Sequence, residues 1–506
     1  MADTQREIER KFEFTKSGAE RRGVPDLTGT AGIATVRDRG TAELDAVYYD
    51  TPDHRLAADG ITLRRRTGGE DAGWHLKLPV APGVRDEVRA DLSDTVPGPL
   101  AALIRSRVRE GDLRPRVRLL SSRRISHLLD ADGALLAELS TDAVTAERED
   151  TTAGWTEVEV ELADGVDPGL LDAVEKVFGK AGLKVSAAPS KLARALAETG
   201  GRAPERPRRG PADGTAGAHV LAYLREQRDA LVAEDPAVRR DLPDSVHRMR
   251  VATRRLRSAL ATHRRVLDRA ATDPIRAELR LLAGELGADR DREVLLERLG
   301  TRLGELPRAL CVGPVRARVG TWNATRRAET RPRALAALDD PRHLRLLDTL
   351  DALLADPPLR AAAHRPARRV LPKTVLRDWD RLADRVAAAL AMEAGEARET
   401  ALHEARKAAK RARYAAEAAT PALGKPARRL GKAAKKVQTL LGEHRDGVVA
   451  RDALLALAVE AEAAGESAFT WGVLHGRETG LTADLERRLP HVWAKARAKA
   501  GRPAPE

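Results

Sequence analysis

The spacing of apolar residues changes near residue 198, and no other feature constrains the folding of this 506-residue chain as strongly. Before that point apolar and polar residues alternate, as in ITLRRR at 61–66, WHLKLP at 74–79, ALLAEL at 134–139 and WTEVEVEL at 155–162. Period two is the repeat of a strand whose two faces meet different surroundings. EIERKFEF at 7–14, YYDT near 48, VRDEVRADL at 84–92 and RVRLLSSRRISHLL at 116–129 read the same way, which predicts about eight strands. After it, segments such as VHRMRVATRRLRSALATHRRVL and EARETALHEARKAAKRARYAAEAA are rich in Ala, Leu and Arg with few β-branched residues, which predicts helices. The Pro- and Gly-rich stretch 198–217 between them has no period and reads as a linker.

The helical part repeats itself. His247, Arg250, Arg254 and Arg257 have spacings of 3, 4 and 3, and His403, Arg406, Lys410 and Arg413 have the same spacings 156 positions later. LGADRD at 286–291 recurs as LGEHRD at 441–446, 155 positions on. Two separate matches at nearly one offset imply a duplication of about four helices per copy. The copies are expected at 218–354 and 374–495, joined by the Pro-containing stretch 355–373, with a tail at 496–506.

Charge divides along the same boundary. Residues 1–200 hold 29 Lys and Arg against 35 Asp and Glu, whereas the remainder holds 60 against 41. A basic helical half would suit nucleic acid, but aromatic residues make up only 3% of the chain and no reading motif is present, which argues against that partner. The single cysteine, Cys311, excludes a disulfide framework and fits a reducing compartment. No run of 18 apolar residues and no apolar leader at the N-terminus are found, so the expectation is a cytoplasmic protein without a membrane partner.

Alternation also sorts the charged side chains by face. Glu7, Glu9 and Lys11 share one face, and Glu157, Glu159 and Glu161 stand opposite Val158, Val160 and Leu162. Arg64 pairs in this way with Arg66, His75 with Lys77, Arg85 with Glu87, and Arg116 with Arg118. A sandwich with a solvated charged face accounts for any one such strand. Several of them together favour an up-and-down barrel with a polar interior, where carboxylates for Mg²⁺ or Mn²⁺ and cations for phosphate oxygens surround one lumen. That combination suits metal-assisted phosphoryl transfer, and no Walker loop is present.

EIERK at 7–11 resembles the ExExK signature of the CYTH domains, the triphosphate tunnel metalloenzymes, and the resemblance extends over roughly 4–197. YYDT at 48–51, the run ending in Arg64 and Arg66, Lys77, RDE at 85–87, Arg118, the Arg123/Arg124 pair, Glu138, Asp142, EVEVE and SKL at 190–192 follow in the family's order. The resemblance implies an eight-stranded antiparallel β tunnel barrel with flanking helices over 1–197. It assigns metal binding to Glu7, Glu9, Glu157, Glu159 and Glu161. It gives triphosphate binding to Lys11, Arg64, Arg66, Lys77, Arg118 and Lys191, with Lys191 on a helix after the barrel; Arg85 joins the substrate-binding set. Which of the neighbouring arginines face the lumen depends on strand register. For Arg123, Arg124 and Asp142 an ordinary ion pair at a strand end is an equal alternative.

On a helix, spacings of 3, 4 and 3 set the four repeat positions along one face about 15 Å long. A single such stripe is a solvated basic face; two in a pseudo-symmetric bundle can face each other across a positive channel. The segments VHRMRVATRRLR and LHEARKAAKRARY, with the two LGxxRD segments, resemble the CHAD domain over about 215–495. This resemblance implies an all-α duplicated four-helix bundle that binds inorganic polyphosphate through His247, Arg250, Arg254, Arg257, His403, Arg406, Lys410 and Arg413. One histidine per helix among cations suits anions better than a metal.

The whole is an α+β multidomain chain, expected to hydrolyse inorganic triphosphate with Mg²⁺ or Mn²⁺ and to bind polyphosphate, with polyphosphate granules as a place of association. The alternatives are a non-catalytic polyphosphate-binding or targeting protein, or a hydrolase of an organic triphosphate such as thiamine triphosphate. RNA 5′-triphosphatase and class IV adenylate cyclase chemistries also belong to the resemblance. An intact carboxylate set argues against pure binding, which needs only cations.

Overall fold

The computed structural model describes residues 3–15, 23–201 and 211–501, so residues 202–210 of the expected linker and 502–506 of the expected tail lie outside the described residues. The chain divides into two compact units, 1–206 and 207–506.

The first unit is a closed antiparallel ring. Its strands are β1 (Asp3–Phe14), β2 (Thr35–Asp50), β3 (Thr62–Thr67), β4 (Gly73–Ala81), β5 (Val84–Ala90), β6 (Arg114–Leu129), β7 (Leu135–Arg148) and β8 (Thr151–Leu162). They run in the order β5-β4-β3-β2-β6-β7-β8-β1, and pairing of β1 with β5 closes the ring. A short ninth strand, β9 (Leu183–Val185), adds to the end of β1. Closure removes the sheet edges and leaves an inner and an outer face on every strand.

The usual burial pattern is inverted. Apolar residues point outward and helices cover them: α2 (Gly98–Val108), which follows the short α1 (Arg55–Ala58), packs Leu100, Leu103 and Ile104 on Leu63, Trp74, Leu76 and Val88. On the opposite side α3 (Gly169–Ala181) buries Leu171, Val174 and Phe178 on Phe12, Val158, Val160 and Leu162. The fourth helix, α4 (Lys191–Glu198), does something different: Leu192, Ala195 and Leu196 pack on Tyr48, Val117, Leu119 and Trp155, side chains of the inner face. It therefore plugs one end of the barrel, and its N-cap Ser190 accepts from the Ala193 amide.

The second unit has nine α-helices among the described residues. These are α5 (Ala216–Arg239), α6 (Ser245–Thr262), α7 (Arg269–Gly304), α8 (Val315–Asp339), α9 (Pro341–Ala355), α10 (Ala367–Leu390), α11 (Glu396–Leu423), α12 (Lys425–Ala463) and α13 (Phe469–Lys499). Residues 496–499 of the expected tail are the last turn of α13. Helices α5 to α8 correspond to α10 to α13 at the offset of the repeat, and α9 stands between the copies. Leu256 and Leu260 of α6, Leu279 and Leu282 of α7, Leu371 and Val375 of α10 and Ala416 and Ala419 of α11 share one core, so the copies fold against each other.

Candidate functional site

The barrel lumen holds the charged residues that alternation brought together. Glu7, Glu9 and Lys11 of β1, Arg64 and Arg66 of β3, His75 and Lys77 of β4, Glu87 of β5 and Glu157, Glu159 and Glu161 of β8 all face inward. Six of them, Glu7, Arg64, Arg66, Lys77, Glu87 and Glu161, line a cavity of about 540 Å³ together with Arg123. No Trp, Tyr or Phe is among the described residues that line it.

Two carboxylate groups occupy the lumen. At the plugged end Asp142, Glu157 and Glu159 each offer an oxygen within 4.8 Å of the others. The Lys191 ammonium reaches all three, at 2.9, 2.7 and 2.7 Å respectively. Arg123 donates to both oxygens of Asp142 at 2.7 and 2.8 Å and to Glu159 at 3.1 Å, and Lys11 forms a close ion pair with Glu159. Burial opposes ionisation of Glu159, but Lys11, Lys191 and Arg123 together hold its carboxyl well below the usual range. The same burial penalty on Lys191 is overcome by Asp142, Glu157 and Glu159, which raise its pKa.

Toward the other end lie Glu7, Glu87 and Glu161. Lys77 pairs with Glu7 at 2.6 Å, while His75 Nδ1 lies 2.9 Å from Glu87 and its Nε2 lies 2.9 Å from the Asp71 carbonyl. Burial pushes the His75 imidazole down to about 4, against the pull of Glu87. Glu161 is short of positive charge: burial first, then Glu7, push it up to about 7 against Lys77, with Glu9 and Glu159 adding to the rise. The cations are crowded in turn. Burial, then Arg64 and Arg123, lower the Arg66 guanidinium to about 9, although Asp71 pairs with it. A site with clustered carboxylates at one set of positions and mutually repelling guanidinium groups at another is complementary to a metal-bound polyanion.

The hard oxygen donors fit a divalent metal. Asp142, Glu157 and Glu159, each with an oxygen within 4.8 Å of the others, support this fit, and a bound cation would also favour the ionised form of Glu161, which burial and then Glu7 raise. Of the expected metal set, Glu157 and Glu159 join Asp142 in one group, while Glu7, Glu9 and Glu161 gather along the lumen beside it.

Two expected substrate residues stand elsewhere. Arg118 is on the outer face, half-exposed, paired with Asp45 at 2.7 Å and Glu147 at 3.6 Å. Inward residues of β6 are the odd-numbered ones, as in Val117, Leu119 and Arg123, so Arg118 is excluded from the lumen by strand parity and Arg123 supplies the cation there. Arg85 has the inward parity but sits beyond the cavity, donating to the Pro189 carbonyl and countering the charge of Glu9. Arg124 also points outward, to Asp38 at 2.6 Å.

In the helical unit the two basic stripes meet. Burial first, then Arg406, Arg254 and Arg250, push the Lys410 ammonium down to about 7, with Asp446 opposing. Arg250 and Arg254 belong to α6, and Arg406 and Lys410 to α11, so both copies contribute to one positive centre. The LGxxRD segments serve each copy alike: Arg250 donates to the Gly287 carbonyl at 2.8 Å and to Asp291 at 3.2 Å, and Arg406 lies 3.8 Å from Asp446 and beside Gly442. Burial, then Arg290, lowers the His247 pKa, while burial, then Lys407 and Arg445, lowers that of His403. Arg290 and Arg445 occupy equivalent positions of the two segments. The stripes differ at their ends. Arg257 is lowered by burial and then by the charges of Arg254, Arg280 and Arg276, whereas Arg413 donates to Glu417 at 2.7 Å and lies over the Tyr414 ring.

Comparison with known proteins agrees with both units. The CYTH domain model matches residues 5–196 and the CHAD domain model residues 222–455. An uncharacterized protein of Mycobacterium tuberculosis is 39% identical over 514 residues, spanning 97% of this chain and 96% of its own length. A thiamine-triphosphatase of Homo sapiens is 42% identical over 85 residues, 17% of this chain and 31% of that protein. Among solved structures, the CHAD domain from the plant Ricinus communis is 27% identical with a TM-score of 0.44, covering 60% of this chain and 98% of that one. PptA from Streptomyces chartreusis is 25% identical with a TM-score of 0.47, covering 55% and 99%. CYTH proteins are metal-dependent triphosphatases or cyclases, and the domain supports triphosphatase-type activity here. No helix among the described residues is long and apolar enough to cross a membrane. With both family models in this order and identity maintained across the full length of a relative, the chain belongs to the family in which a CYTH domain is followed by a CHAD domain.

Proposed function

We propose that the barrel hydrolyses inorganic triphosphate to phosphate and pyrophosphate and that the helical unit binds inorganic polyphosphate. The observation that carries the first part is the lumen itself. It interleaves Arg64, Arg66, Lys77 and Arg123 with buried carboxylates, and no Trp, Tyr or Phe among the described residues lines its cavity to stack a base.

Glu7, Glu9, Asp142, Glu157, Glu159 and Glu161 would hold Mg²⁺ or Mn²⁺, which supplies charge neutralisation at the phosphates and acidifies a water. The three guanidinium groups grip the equatorial phosphate oxygens and neutralise charge that develops on the leaving pyrophosphate. Lys11 and Lys191 hold the carboxylates in position and present a second cationic edge to the chain of phosphates. The α4 plug limits access by water from that end and keeps the electrostatic interactions strong. Convergence of Arg250, Arg254, Arg406 and Lys410 on one centre supports the second part, because such crowding is relieved by a polyanion.

Thiamine triphosphate is a second substrate reading, supported by the 85-residue match to the human thiamine-triphosphatase. Phosphate release from tripolyphosphate, thiamine triphosphate, ATP and pyrophosphate, with and without Mg²⁺ or Mn²⁺, separates these readings. Metal-dependent release selective for tripolyphosphate is expected. Preference for thiamine triphosphate would overturn the inorganic assignment, and no release from any substrate would leave a binding protein.

A further inference from the structure

The basic face of the first copy does not end with the repeated stripe. The charges of Arg280 and Arg276 on α7 act on Arg257 after burial and Arg254, and Arg276 also lines a separate cleft where α6 ends. That cleft, of about 120 Å³, is bounded by Arg264, Arg269 and Arg276 on one side and by Arg381 of α10 and Arg411 of α11 on the other. The one carboxylate in its lining is Asp273, already bound by Arg269 at 2.9 Å and by Arg276 at 2.5 Å.

The arginines are held from behind. Asp378, fully buried, accepts from Thr262 Oγ1 at 2.6 Å, from Arg411 Nε at 3.1 Å and from Arg381 at 3.3 Å. Arg411 also donates to the Ala261 carbonyl at 3.2 Å, and Arg377 to the Thr262 carbonyl at 2.7 Å, so the last carbonyls of α6 are satisfied by guanidinium groups. Fixing a helix end needs two of these cations. Five arginines around one exposed carboxylate and one buried one exceed that need. Their mutual repulsion is visible at Arg411, which burial and then Arg381 and Arg377 lower against Asp378. Guanidinium forks oriented by a buried carboxylate are suited to the oxygens of a phosphoryl group.

We propose that this cleft is a second phosphate-binding subsite, continuous with the stripe through Arg257 and Arg276, which receives the extension of a polyphosphate chain whose body lies between Arg250, Arg254, Arg406 and Lys410. It rests on the polyphosphate reading of the helical unit and adds to it a preference for long chains. From Arg250 to the end of α6 the face runs about 18 Å, so a short oligophosphate on the paired stripes does not reach the cleft. Arg413, the counterpart of Arg257, is engaged by Glu417 at 2.7 Å, so the stripe of the second copy ends against a carboxylate.

The test uses the full chain with the double variant Arg264→Ser/Arg381→Ser, and Arg254→Glu as a separate arm. Long-chain polyphosphate, tripolyphosphate and orthophosphate are titrated at several salt concentrations. The double variant is expected to lose about tenfold in affinity for the long chain, and its plot of log affinity against log salt to flatten by about 1 to 2, with tripolyphosphate binding unchanged. Unchanged long-chain affinity and slope would overturn the proposal while Arg254→Glu still abolished binding. Loss of orthophosphate affinity alone would also overturn it, by making the cleft an isolated phosphate site. Failure of the unsubstituted protein to bind either chain would remove the underlying reading and the subsite with it. An unfolding midpoint of the helical unit unchanged from that of the unsubstituted protein reports that the double variant is folded.

Discussion

Lys191 reaches Asp142 at 2.9 Å from a helix that enters the barrel end; Asp142 is fully buried and Lys191 is buried with it. Their pairing joins the plug to the carboxylate group, so the position of α4 and the charge of the lumen depend on each other.

Replacing Lys191 by Met leaves Asp142, Glu157 and Glu159 with less compensation in a buried site. The metal-free protein is expected to lose about 3–5 kcal/mol in urea unfolding. Added Mg²⁺ or Mn²⁺ should restore part of that loss; equal destabilisation with and without metal would remove the trio from the metal site.

Glu161 predicts a pH dependence. Its carboxyl is raised from 4.5 to about 7 in the folded protein, so the folded state binds more protons than the unfolded state between those values. Metal-free stability is therefore expected to fall as pH rises from 4.5 to 7, by up to about 3 kcal/mol, and Glu161→Gln should flatten the profile. Metal binding, which needs the ionised form, strengthens over the same window. Thermal unfolding across pH with a chelator, compared with the same series in Mg²⁺, measures both.

Strand parity separates two arginines five positions apart. Arg123→Ala is expected to lower kcat/KM for triphosphate about a hundredfold or more, because it removes a cation from the lumen. Arg118→Ala should leave the kinetics unchanged and cost less than about 1 kcal/mol, as for other exposed ion pairs. The reverse result would put the register of β6 in error.

Glu9→Gln keeps the shape of a buried side chain and removes its charge. Cleavage should fall by about a hundredfold or more while the unfolding midpoint moves little. Activity that survives the change would take Glu9 out of the metal set.

Lys410 has its ammonium lowered from 10.5 to about 7 by burial and by Arg406, Arg254 and Arg250, with Asp446 of α12 opposing. A bound polyanion favours the charged form, so polyphosphate affinity is expected to decline as pH rises through about 7. Lys410→Arg should remove that decline, as isothermal titration across pH would detect.

Much of this was legible before any coordinates. Alternation sorted Glu7, Glu9 and Lys11, Arg64 and Arg66, and Glu157, Glu159 and Glu161 onto common faces, because a strand has a period of two whatever its neighbours are. The offset of the duplication was readable as well, since equivalent residues keep equivalent jobs: Arg250 with Gly287 and Arg406 with Gly442. Asp142 was within reach of a register argument. Arg148 pairs with Thr151 across a two-residue turn, and counting back from that turn sets Asp142 opposite Glu157.

Other features depended on the fold. Whether the odd or the even residues of β6 face inward is decided by where that strand pairs with β2 and β7, which the segment itself does not encode; hence the misplacement of Arg118. That the apolar face of each strand turns outward follows from ring closure and from helices that cover it. Local sequence specified the helix α4 and its cap, but only packing against Tyr48, Val117 and Trp155 directs Lys191 into the lumen. The meeting of the two basic stripes likewise required α6 and α11 to be folded against each other. Side-chain direction along one element is a local property, whereas the company a side chain keeps is set by contacts between residues far apart in the chain.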